Sequence, residues 1–129
     1  MFKIPVRVYY EDTDAGGVVY YANYLRFAER ARTEYIRALG FDTQENMESE
    51  DKFGFMVRRV EADYKMPAIL DDLLEVSCEI IEAKGASARA KQEVSRNGQL
   101  LVSLMVDIAY VSYSKKRPVR IPEALLARF

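Results

Sequence analysis

The chain has 129 residues, of which half are hydrophobic and 30% are charged, as expected for one globular domain spanning residues 1–129. Its 19 Lys and Arg residues nearly balance its 20 Asp and Glu residues, and this formal net charge of −1 argues against a nucleic-acid-binding protein. The chain contains no histidine. This absence excludes Ser–His and Cys–His catalytic pairs and every metal site that needs an imidazole ligand.

The cysteine content and the N-terminus bear on location. The only cysteine, Cys78, lies in the alternating run LLEVSCEI and cannot form an intrachain disulfide, which is typical of the reducing cytosol. No basic residue adjoins it, so we expect a buried hydrophobic thiol rather than a reactive one. The N-terminal run MFKIPVRV lacks the apolar core of a signal peptide, and no window approaches 18 uninterrupted apolar residues. We therefore expect a cytoplasmic protein without membrane insertion.

The first part of the chain predicts a strand followed by a long helix. PVRVYYED (5–12) is rich in Val and Tyr, as strands are. From Asn23 to Leu39 apolar residues recur every three to four positions, which predicts a helix with Asn23 as its N-cap and Gly40 just beyond its end. Residues 41–53 are polar and acidic, and they predict either a loop or a short exposed helix.

The rest of the chain predicts four antiparallel strands and a short terminal helix. Four runs are rich in Val, Ile, Leu and Tyr: FMVRRVEADYKM, LLEVSCEIIEA, SARAKQEVSR and QLLVSLMVDIAYVS. Asn97-Gly98 predicts a two-residue turn between the last two, because a type I′ turn needs positive φ at both positions. IPEALLARF predicts a short helix that begins at Pro122.

One long helix and a long antiparallel sheet must pack together to bury both apolar faces. The pattern therefore predicts an α+β fold in which the sheet wraps around the helix. The last strand has few polar positions, so we also expect its outer face to be covered, and dimerisation is a simple way to cover it.

The segment EDTDAGGVVYYAN (11–23) combines two carboxylates, two glycines and the start of the helix. Gly16 and Gly17 allow the loop to approach a ligand closely, because they have no Cβ. The helix start presents unpaired backbone N–H groups and the positive end of the helix dipole. Taken alone, Asp14 favours an Asp-Ala-Gly-Gly turn, and we interpret Asp12 as a capping carboxylate of a turn or loop.

Two segments carry a family resemblance. EDTDAGGVVYYANYLRFAERARTEYI resembles the N-terminal motif of the hot-dog-fold acyl-CoA thioesterases of the 4-hydroxybenzoyl-CoA thioesterase type, and more closely that of their YbgC-like branch, which is associated with the bacterial Tol–Pal system. YKMPAILDDLLEV (64–76) resembles a second segment of this branch. The resemblance implies a hot-dog fold, with a long central helix wrapped by a five-stranded antiparallel sheet. It also implies homodimers that assemble into homotetramers, with active sites at the dimer interface.

The resemblance also implies site residues. It assigns the catalytic carboxylate to Asp14, and to Tyr21 the backbone N–H that polarises the thioester carbonyl. The YbgC-like branch commonly carries histidine at the position of Tyr21. The implied substrate-binding residues, of which Lys84 and Ser87 contact the nucleotide of coenzyme A, are Gly17, Val18, Tyr24, Glu29, Arg58, Lys84 and Ser87. We expect no metal, and no cofactor other than the coenzyme A that is part of the substrate.

Thioester hydrolysis suits a chain without histidine. The leaving thiol has a pKa of about 8.5 by analogy with cysteine, so its departure needs little general-acid help. Asp14 could attack the carbonyl as a nucleophile or activate a water molecule as a general base. Three functions stay open: hydrolysis of acyl-CoA, hydrolysis of an acyl group carried by acyl carrier protein, and a non-catalytic acyl-binding or scaffolding domain. The carboxylate in front of the helix favours an enzyme over a binding module.

Overall fold

The computed structural model describes residues 1–41 and 43–129. Their sheet has the strand order β1-β3-β4-β5-β2 with every neighbouring pair antiparallel, and a short β6 adds to β5. The five long strands and the long helix confirm the predicted hot-dog architecture. In chain order the elements are β1 (Phe2–Arg7), α1 (Asn23–Ala38), α2 (Thr43–Glu48), β2 (Phe53–Tyr64), β3 (Leu73–Lys84), β4 (Ser87–Arg96), β5 (Gln99–Ser112), β6 (Arg117–Pro118) and α3 (Glu123–Leu126).

The first strand differs from its predicted bounds of 5–12. It pairs with β3 from Phe2 to Arg7, and residues 10–12 form a single 3₁₀ turn instead. The Asp12 carboxylate accepts a hydrogen bond of 2.8 Å from the Tyr9 N–H, which turns the chain away from the sheet. At the other end, the strand begins earlier than predicted, and the Phe2 ring packs edge-on against Tyr35 of α1 at 5.5 Å.

The long helix has the predicted extent but a different cap. Its N-cap is Ala22, and Asn23 is the first helical residue. The prediction was wrong because the Asn23 side chain hydrogen-bonds Asp12 rather than a free N–H of its own helix. Gly40 follows the end of the helix with a φ of +101°, as predicted. The segment 41–53 contains α2, so its short-helix alternative is confirmed.

The four predicted strands and the predicted turn of the second half are confirmed, although β2 (Phe53–Tyr64) begins and ends two residues earlier than the predicted run 55–66. β4 and β5 begin and end at the predicted residues, and β3 extends one residue further. Asn97 and Gly98 join β4 to β5 with φ values of +52° and +80°, the positive pair that a type I′ turn requires. Pro122 precedes α3 as its N-cap. None of the described helices is long and apolar enough to cross a membrane.

The core lies between one face of α1 and the sheet. The buried face of the helix consists of Asn23, Tyr24, Phe27, Ala28 and Ala31, and it packs against β1, β3 and β4. The sheet contributes fully buried side chains that include Leu74, Val76, Val94, Leu101 and Val106. The apolar residues that recur at helical spacing on α1 therefore form the contact between helix and sheet that the sequence predicts.

A glutamine and the cysteine are buried within this core. Gln92 of β4 is completely buried, and its amide donates to the carbonyl oxygens of Ala28 at 2.9 Å and Ser77 at 3.2 Å. Its side-chain oxygen accepts from Nη1 of Arg32 at 2.9 Å, so this amide links α1 to the sheet with no unpaired atom. Cys78 is 1% exposed, and burial raises the pKa of its thiol to about 12. The prediction of an inert, buried cysteine is confirmed.

Candidate active site

Asp12 holds the start of the loop 13–22 to the start of α1. Its side chain is buried, and its two oxygens accept hydrogen bonds from the Tyr9 N–H at 2.8 Å and from the Asn23 amide at 2.7 Å. Its carbonyl oxygen accepts a third from the Tyr20 N–H at 2.9 Å. The interpretation of Asp12 as a capping carboxylate is confirmed, and both ends of the loop 13–22 are fixed by this residue.

Asp14 lies exposed on a tight turn within that loop. Its Oδ1 atom accepts a hydrogen bond of 2.8 Å from the Gly16 N–H, and its N–H donates to Val18 at 2.9 Å. A Cβ on Gly16 would lie 3.1 Å from the same Oδ1, and Gly17 has a φ of +81°, so both glycines suit this turn. Among the described residues, Oδ2 of Asp14 has no hydrogen-bond or ion-pair partner. One oxygen orients the carboxylate, and the other is free.

Two backbone N–H groups at the helix start are also free. The Tyr20 N–H bonds Asp12, and the Asn23 N–H bonds the Tyr20 carbonyl oxygen at 2.8 Å. Between these two residues, the N–H groups of Tyr21 and Ala22 have no partner in the part of the chain that the structure describes. They precede a helix of 16 residues, so the positive end of its dipole reinforces them as anion-binding donors.

Aromatic side chains surround this helix start. The Tyr64 hydroxyl donates to the carbonyl oxygen of Tyr21 at 3.1 Å, and the buried Tyr24 hydroxyl accepts from the Ala68 N–H at 2.9 Å. The ring of Tyr64 contacts the rings of Tyr21 and Tyr24 at centroid distances of 6.3 Å and 5.7 Å. A cleft of about 240 Å³, the helix-start cleft, opens here and is lined by Val19, Tyr21, Tyr24, Tyr64, Lys65, Met66 and Pro67.

A second loop, residues 65–72, packs beside the loop 13–22 and supports it. Val18 forms an isolated β-bridge with Ile69, and the Val19 N–H donates to the Ala68 carbonyl oxygen at 2.9 Å. Asp72 braces the second loop, because its Oδ2 atom accepts from the Ile69 N–H at 2.9 Å and from Nη1 of Arg96 at 2.5 Å. Of the predicted site residues, Gly17 and Val18 lie on the same loop as Asp14, and Tyr21 and Tyr24 line the cleft at the helix start.

The pKa values of three phenols at this site, those of Tyr20, Tyr24 and Tyr64, are raised. The neighbouring Tyr21 phenol raises the pKa of Tyr20 by charge repulsion, and the Asp14 carboxylate raises it further. The two rings are 4.9 Å apart. Burial raises the pKa of Tyr24 and of Tyr64. Near neutral pH, Tyr20, Tyr24 and Tyr64 can therefore act only as neutral hydrogen-bonding groups.

Three other predicted residues lie together in a different cleft, called the basic cleft below. Arg58, Lys84 and Ser87 line a cleft of about 450 Å³ together with Arg59, Glu82, Ala88, Arg89, Asp107 and Ile108. Arg89 is paired with Asp107 at 2.7 Å, and this hydrogen bond lowers the pKa of Asp107. Arg59 is paired with Glu61 at 2.5 Å. Arg58 and Lys84 form no ion pair among the described residues, so they are the cations available to a bound anion.

A single chain does not bring the basic cleft and Asp14 into one cavity. Arg59 of the basic cleft and Tyr64 of the helix-start cleft are five residues apart on β2, a distance of about 16 Å along a strand. Glu29 is also separate from Asp14. It accepts from the Thr33 hydroxyl at 3.0 Å and lines a third cleft, of about 270 Å³, between α1, α2 and β2. Five of the predicted substrate-binding residues therefore line three different clefts of one chain, and the other two, Gly17 and Val18, lie on the loop 13–22.

Sequence reasoning missed two groups that organise this site. Tyr64 and Asp72 both lie within YKMPAILDDLLEV, the segment that carries the second family resemblance. Spacing along the chain gives no sign that Tyr64 reaches a carbonyl 43 residues away or that Asp72 pairs with Arg96. The available signal was the segment itself, because a polar motif between two strands is a place to look for site-supporting residues.

The fold and the comparisons together define a thioester hydrolase of the hot-dog fold. Residues 8–129 match the Thioesterase-like superfamily, and the chain belongs to this family. It is 49% identical to the acyl-CoA thioesterase YbgC of Haemophilus influenzae over 128 residues, which cover 99% of this chain and 93% of the relative. It is 43% identical to the acyl-CoA thioester hydrolase YbgC of Escherichia coli O6:H1, with 100% and 96% covered.

A solved structure agrees with these relatives. The probable thioesterase from Bartonella henselae is 35% identical and superimposes with a TM-score of 0.88, over 93% of this chain and 98% of that one. The resemblance to YbgC-like thioesterases that the sequence predicts is confirmed, as is the hot-dog fold.

Proposed function

We propose that the chain hydrolyses acyl-CoA to a free acid and coenzyme A, with Asp14 as the catalytic carboxylate and the Tyr21 N–H as an oxyanion donor. One observation carries the proposal: the turn that orients Asp14 continues directly into two unpaired N–H groups at the start of α1. A carboxylate with a free oxygen and preorganised donors are the two parts that thioester hydrolysis needs. The names of the YbgC relatives support acyl-CoA as the substrate class.

The carboxylate can act in either of two ways. As a general base, Oδ2 of Asp14 takes a proton from water while the water oxygen bonds to the thioester carbon. As a nucleophile, Oδ2 bonds to that carbon itself and gives a mixed anhydride, which water then hydrolyses. In both routes the C–S bond breaks and the sulfur leaves as a thiolate. The Gly16 N–H holds the other oxygen, so the carboxylate keeps one orientation throughout.

The helix start stabilises the negative charge that develops on the carbonyl oxygen. The Tyr21 N–H has no partner in the described structure, so it can bind this oxygen without breaking another hydrogen bond. Loss of one donor of this kind typically costs about 2.7–4 kcal/mol of transition-state stabilisation. A side-chain substitution at Tyr21 leaves a backbone N–H in place, which explains how tyrosine can stand where YbgC-like relatives commonly carry histidine.

The basic cleft suits the phosphates of coenzyme A. Arg58 and Lys84 are unpaired cations of this cleft, and the Ser87 hydroxyl can donate beside them. Because this cleft and Asp14 lie apart in one chain, we propose that the active site forms between two copies, with the loop 13–22 from one and the basic cleft from the other. β2 is one of the two edge strands of the described sheet and exposes Met56, Val57 and Val60, which suits pairing with a second copy. Two such homodimers would form the homotetramer.

The remaining features of the proposal follow from the same site. Tyr24 lines the cleft at the helix start, Gly17 and Val18 shape the loop that carries Asp14, and Glu29 would meet a long acyl group in the neighbouring cleft along α1. The reaction as written needs no metal ion and no cofactor beyond the coenzyme A of the substrate. We propose one domain for residues 1–129, and the free thiol of Cys78 suits a cytoplasmic location.

A thiol-release assay tests the proposed function. Wild type is incubated with a panel of aliphatic and aromatic acyl-CoAs in the presence of a thiol-trapping dye, alongside Asp14→Asn. The matched control is Glu11→Gln, an exposed carboxylate of the same segment with no side-chain hydrogen bond in the described structure. We expect thiol release by wild type and Glu11→Gln, and a loss of at least about 10²-fold in Asp14→Asn, as for removal of a general base. Equal rates in wild type and Asp14→Asn would contradict the assignment.

The basic cleft separates acyl-CoA from the carrier-protein alternative. Arg58→Ala and Lys84→Ala should raise KM for an acyl-CoA and leave KM unchanged for the same acyl group on N-acetylcysteamine, which carries no phosphate. Faster turnover of the acyl group on acyl carrier protein than on coenzyme A would favour the carrier-protein substrate. Absence of thiol release from every substrate would favour a non-catalytic acyl-binding or scaffolding domain.

A further inference from the structure

The carbonyl oxygen of Tyr21, just before the N-cap of α1, is held by a side chain of the sheet. In a regular helix this oxygen would accept from the N–H of Leu25, but the Leu25 N–H bonds the Ala22 carbonyl oxygen at 3.1 Å. Within the described residues, the only donor to the Tyr21 carbonyl oxygen is the Tyr64 hydroxyl, at 3.1 Å. A side chain at the edge of the sheet therefore holds a carbonyl group that lies just before the helix and accepts no bond from it.

This bond fixes the direction of a free donor. The carbonyl of Tyr21 and the N–H of Ala22 belong to one planar, trans peptide unit, so they point in opposite directions and turn together. A hydroxyl that holds the oxygen on one side consequently sets where the Ala22 N–H points on the other. It also polarises the peptide unit, which strengthens the N–H as a donor.

We propose that Tyr64 is a positioning residue of the reaction: its hydroxyl aligns the Tyr21–Ala22 peptide so that the Ala22 N–H joins the Tyr21 N–H in binding the oxyanion. The inference rests on the proposed function and adds a second donor and its support.

The surroundings of Tyr64 suit this role. Its backbone pairs with Val102 at the end of β2, and its ring packs edge-on against Tyr24, which is buried. These contacts hold the ring, whereas the hydroxyl itself has one partner, the Tyr21 carbonyl oxygen. Removal of the hydroxyl alone therefore frees the peptide without disturbing the packing of the ring.

The test is Tyr64→Phe, with Tyr10→Phe as the matched control. Tyr10 is 82% exposed and its hydroxyl has no hydrogen bond in the described structure. We expect Tyr64→Phe to lower kcat by about tenfold to a hundredfold, the scale of a misplaced catalytic group, with KM nearly unchanged. Tyr10→Phe should keep wild-type kcat and KM. Both variants should keep the thermal midpoint of wild type, which separates positioning from folding.

A spectroscopic measurement reports the donors directly. Asp14→Asn is mixed with an acyl-CoA that carries ¹³C at its carbonyl, and the stretch of that carbonyl is followed by isotope-edited infrared spectroscopy. Hydrogen bonds from the helix start should lower its frequency relative to the free thioester, and Asp14→Asn/Tyr64→Phe should move it part of the way back. Unchanged kcat and carbonyl frequency after loss of the Tyr64 hydroxyl would overturn this inference and leave the proposed function intact. A wild-type chain without thiol release would overturn both.

Discussion

The side-chain amide of Asn23 donates to Oδ1 of Asp12 at 2.7 Å, and this buried hydrogen bond closes the loop that carries Asp14 and Tyr21. Asp12 ends the 3₁₀ turn before the loop, and Asn23 begins α1 after it. The two residues therefore set the distance between the ends of the loop. The conformation of the loop around Asp14 depends on this pair of residues at its two ends.

Loss of the Asn23 amide should destabilise the protein. Asn23→Ala leaves one oxygen of a buried carboxylate without a partner, and we expect the free energy of unfolding to fall by about 1.5–3 kcal/mol, the value of a hydrogen bond to a charged group. Asn23→Asp should cost more, because it places a second carboxylate against the first. Urea denaturation measures both. Arg26→Ala, an exposed position of the same helix, should stay within about 0.5 kcal/mol of wild type. Equal stability of the Asn23 and Arg26 variants would contradict the role of the pair.

Sequence periodicity predicted the elements where local pattern and tertiary contact agree. The apolar recurrence from Tyr24 to Leu39 gave α1, and Asn97-Gly98 gave the β4–β5 hairpin, because each signal lies within a few neighbouring residues. The end of β1 and the cap of α1 were predicted wrongly for one shared reason. Both depend on the side-chain hydrogen bonds of Asp12: the bond from the Tyr9 N–H ends β1, and the bond from the Asn23 amide, 11 positions away, has no local pattern.

The pair formed by Arg96 and Asp72 should contribute more to stability than an exposed ion pair. Its side chains are only 24% and 15% exposed, and Asp72 also bonds the Ile69 N–H. We expect Arg96→Ala to lower the free energy of unfolding by about 2 kcal/mol, because it leaves a half-buried carboxylate without its cation. The control is Lys3→Ala, which breaks the exposed pair with Glu75 and should cost no more than about 0.5 kcal/mol.

High salt provides an independent check on the same pair. Screening weakens contacts between exposed charges more than those between buried ones. The effect of Lys3→Ala should therefore vanish in 1 M NaCl (a Debye length of about 3 Å), and most of the effect of Arg96→Ala should persist. Equal losses for the two variants at both salt concentrations would show that burial of the Arg96 pair has no energetic consequence.

Burial of Cys78 should make stability fall in alkaline solution. The pKa of its thiol is about 12 in the folded chain against an ordinary value of 9.0. Between these two values the unfolded chain has lost the proton and the folded chain keeps it, so the unfolded state is favoured as pH rises. The contribution is about −1.4 kcal/mol per pH unit above pH 9 and none below it. Denaturant unfolding at pH 8, 9.5 and 10.5 should show this decline relative to Cys78→Ala.

Thiol labelling gives a second readout for Cys78. The folded chain should resist a thiol reagent at pH 8 and react with one equivalent once unfolded in urea, because the thiolate is the reactive form. Parallel stability curves for wild type and Cys78→Ala, together with rapid labelling of the folded chain, would contradict a buried thiol at this position.

The sequence was sufficient to propose the residues of the site but not to predict how they are arranged. The motif around Asp14 identified the carboxylate and the helix start, because both lie within ten residues of sequence. The separation of Arg58 and Lys84 from Asp14 could not be read from the motif, since it depends on how β2 crosses the sheet. The hydrogen bond from Tyr64 to the Tyr21 carbonyl was equally hidden, because it joins the end of an edge strand to a helix cap.

The backbone of Gly17 should matter for activity beyond its effect on stability. Gly17 and Gly98 have nearly the same φ, +81° and +80°, and a Cβ at either position would meet no atom within 4 Å. Alanine at each therefore adds the same backbone strain without a clash, and each variant should lose about 1 kcal/mol of stability. Gly17 lies on the turn that holds Asp14, whereas Gly98 lies on the distant β4–β5 hairpin.

The two variants should consequently differ only in catalysis. In Gly17→Ala the turn relaxes, the bond from the Gly16 N–H to the Asp14 carboxylate shifts, and we expect kcat for an acyl-CoA to fall by at least about tenfold. Gly98→Ala should keep the wild-type kcat. Steady-state kinetics and urea denaturation of both variants provide the comparison. Equal kcat values at equal stability would show that the conformation of the turn does not orient Asp14, and the carboxylate would then need another source of alignment.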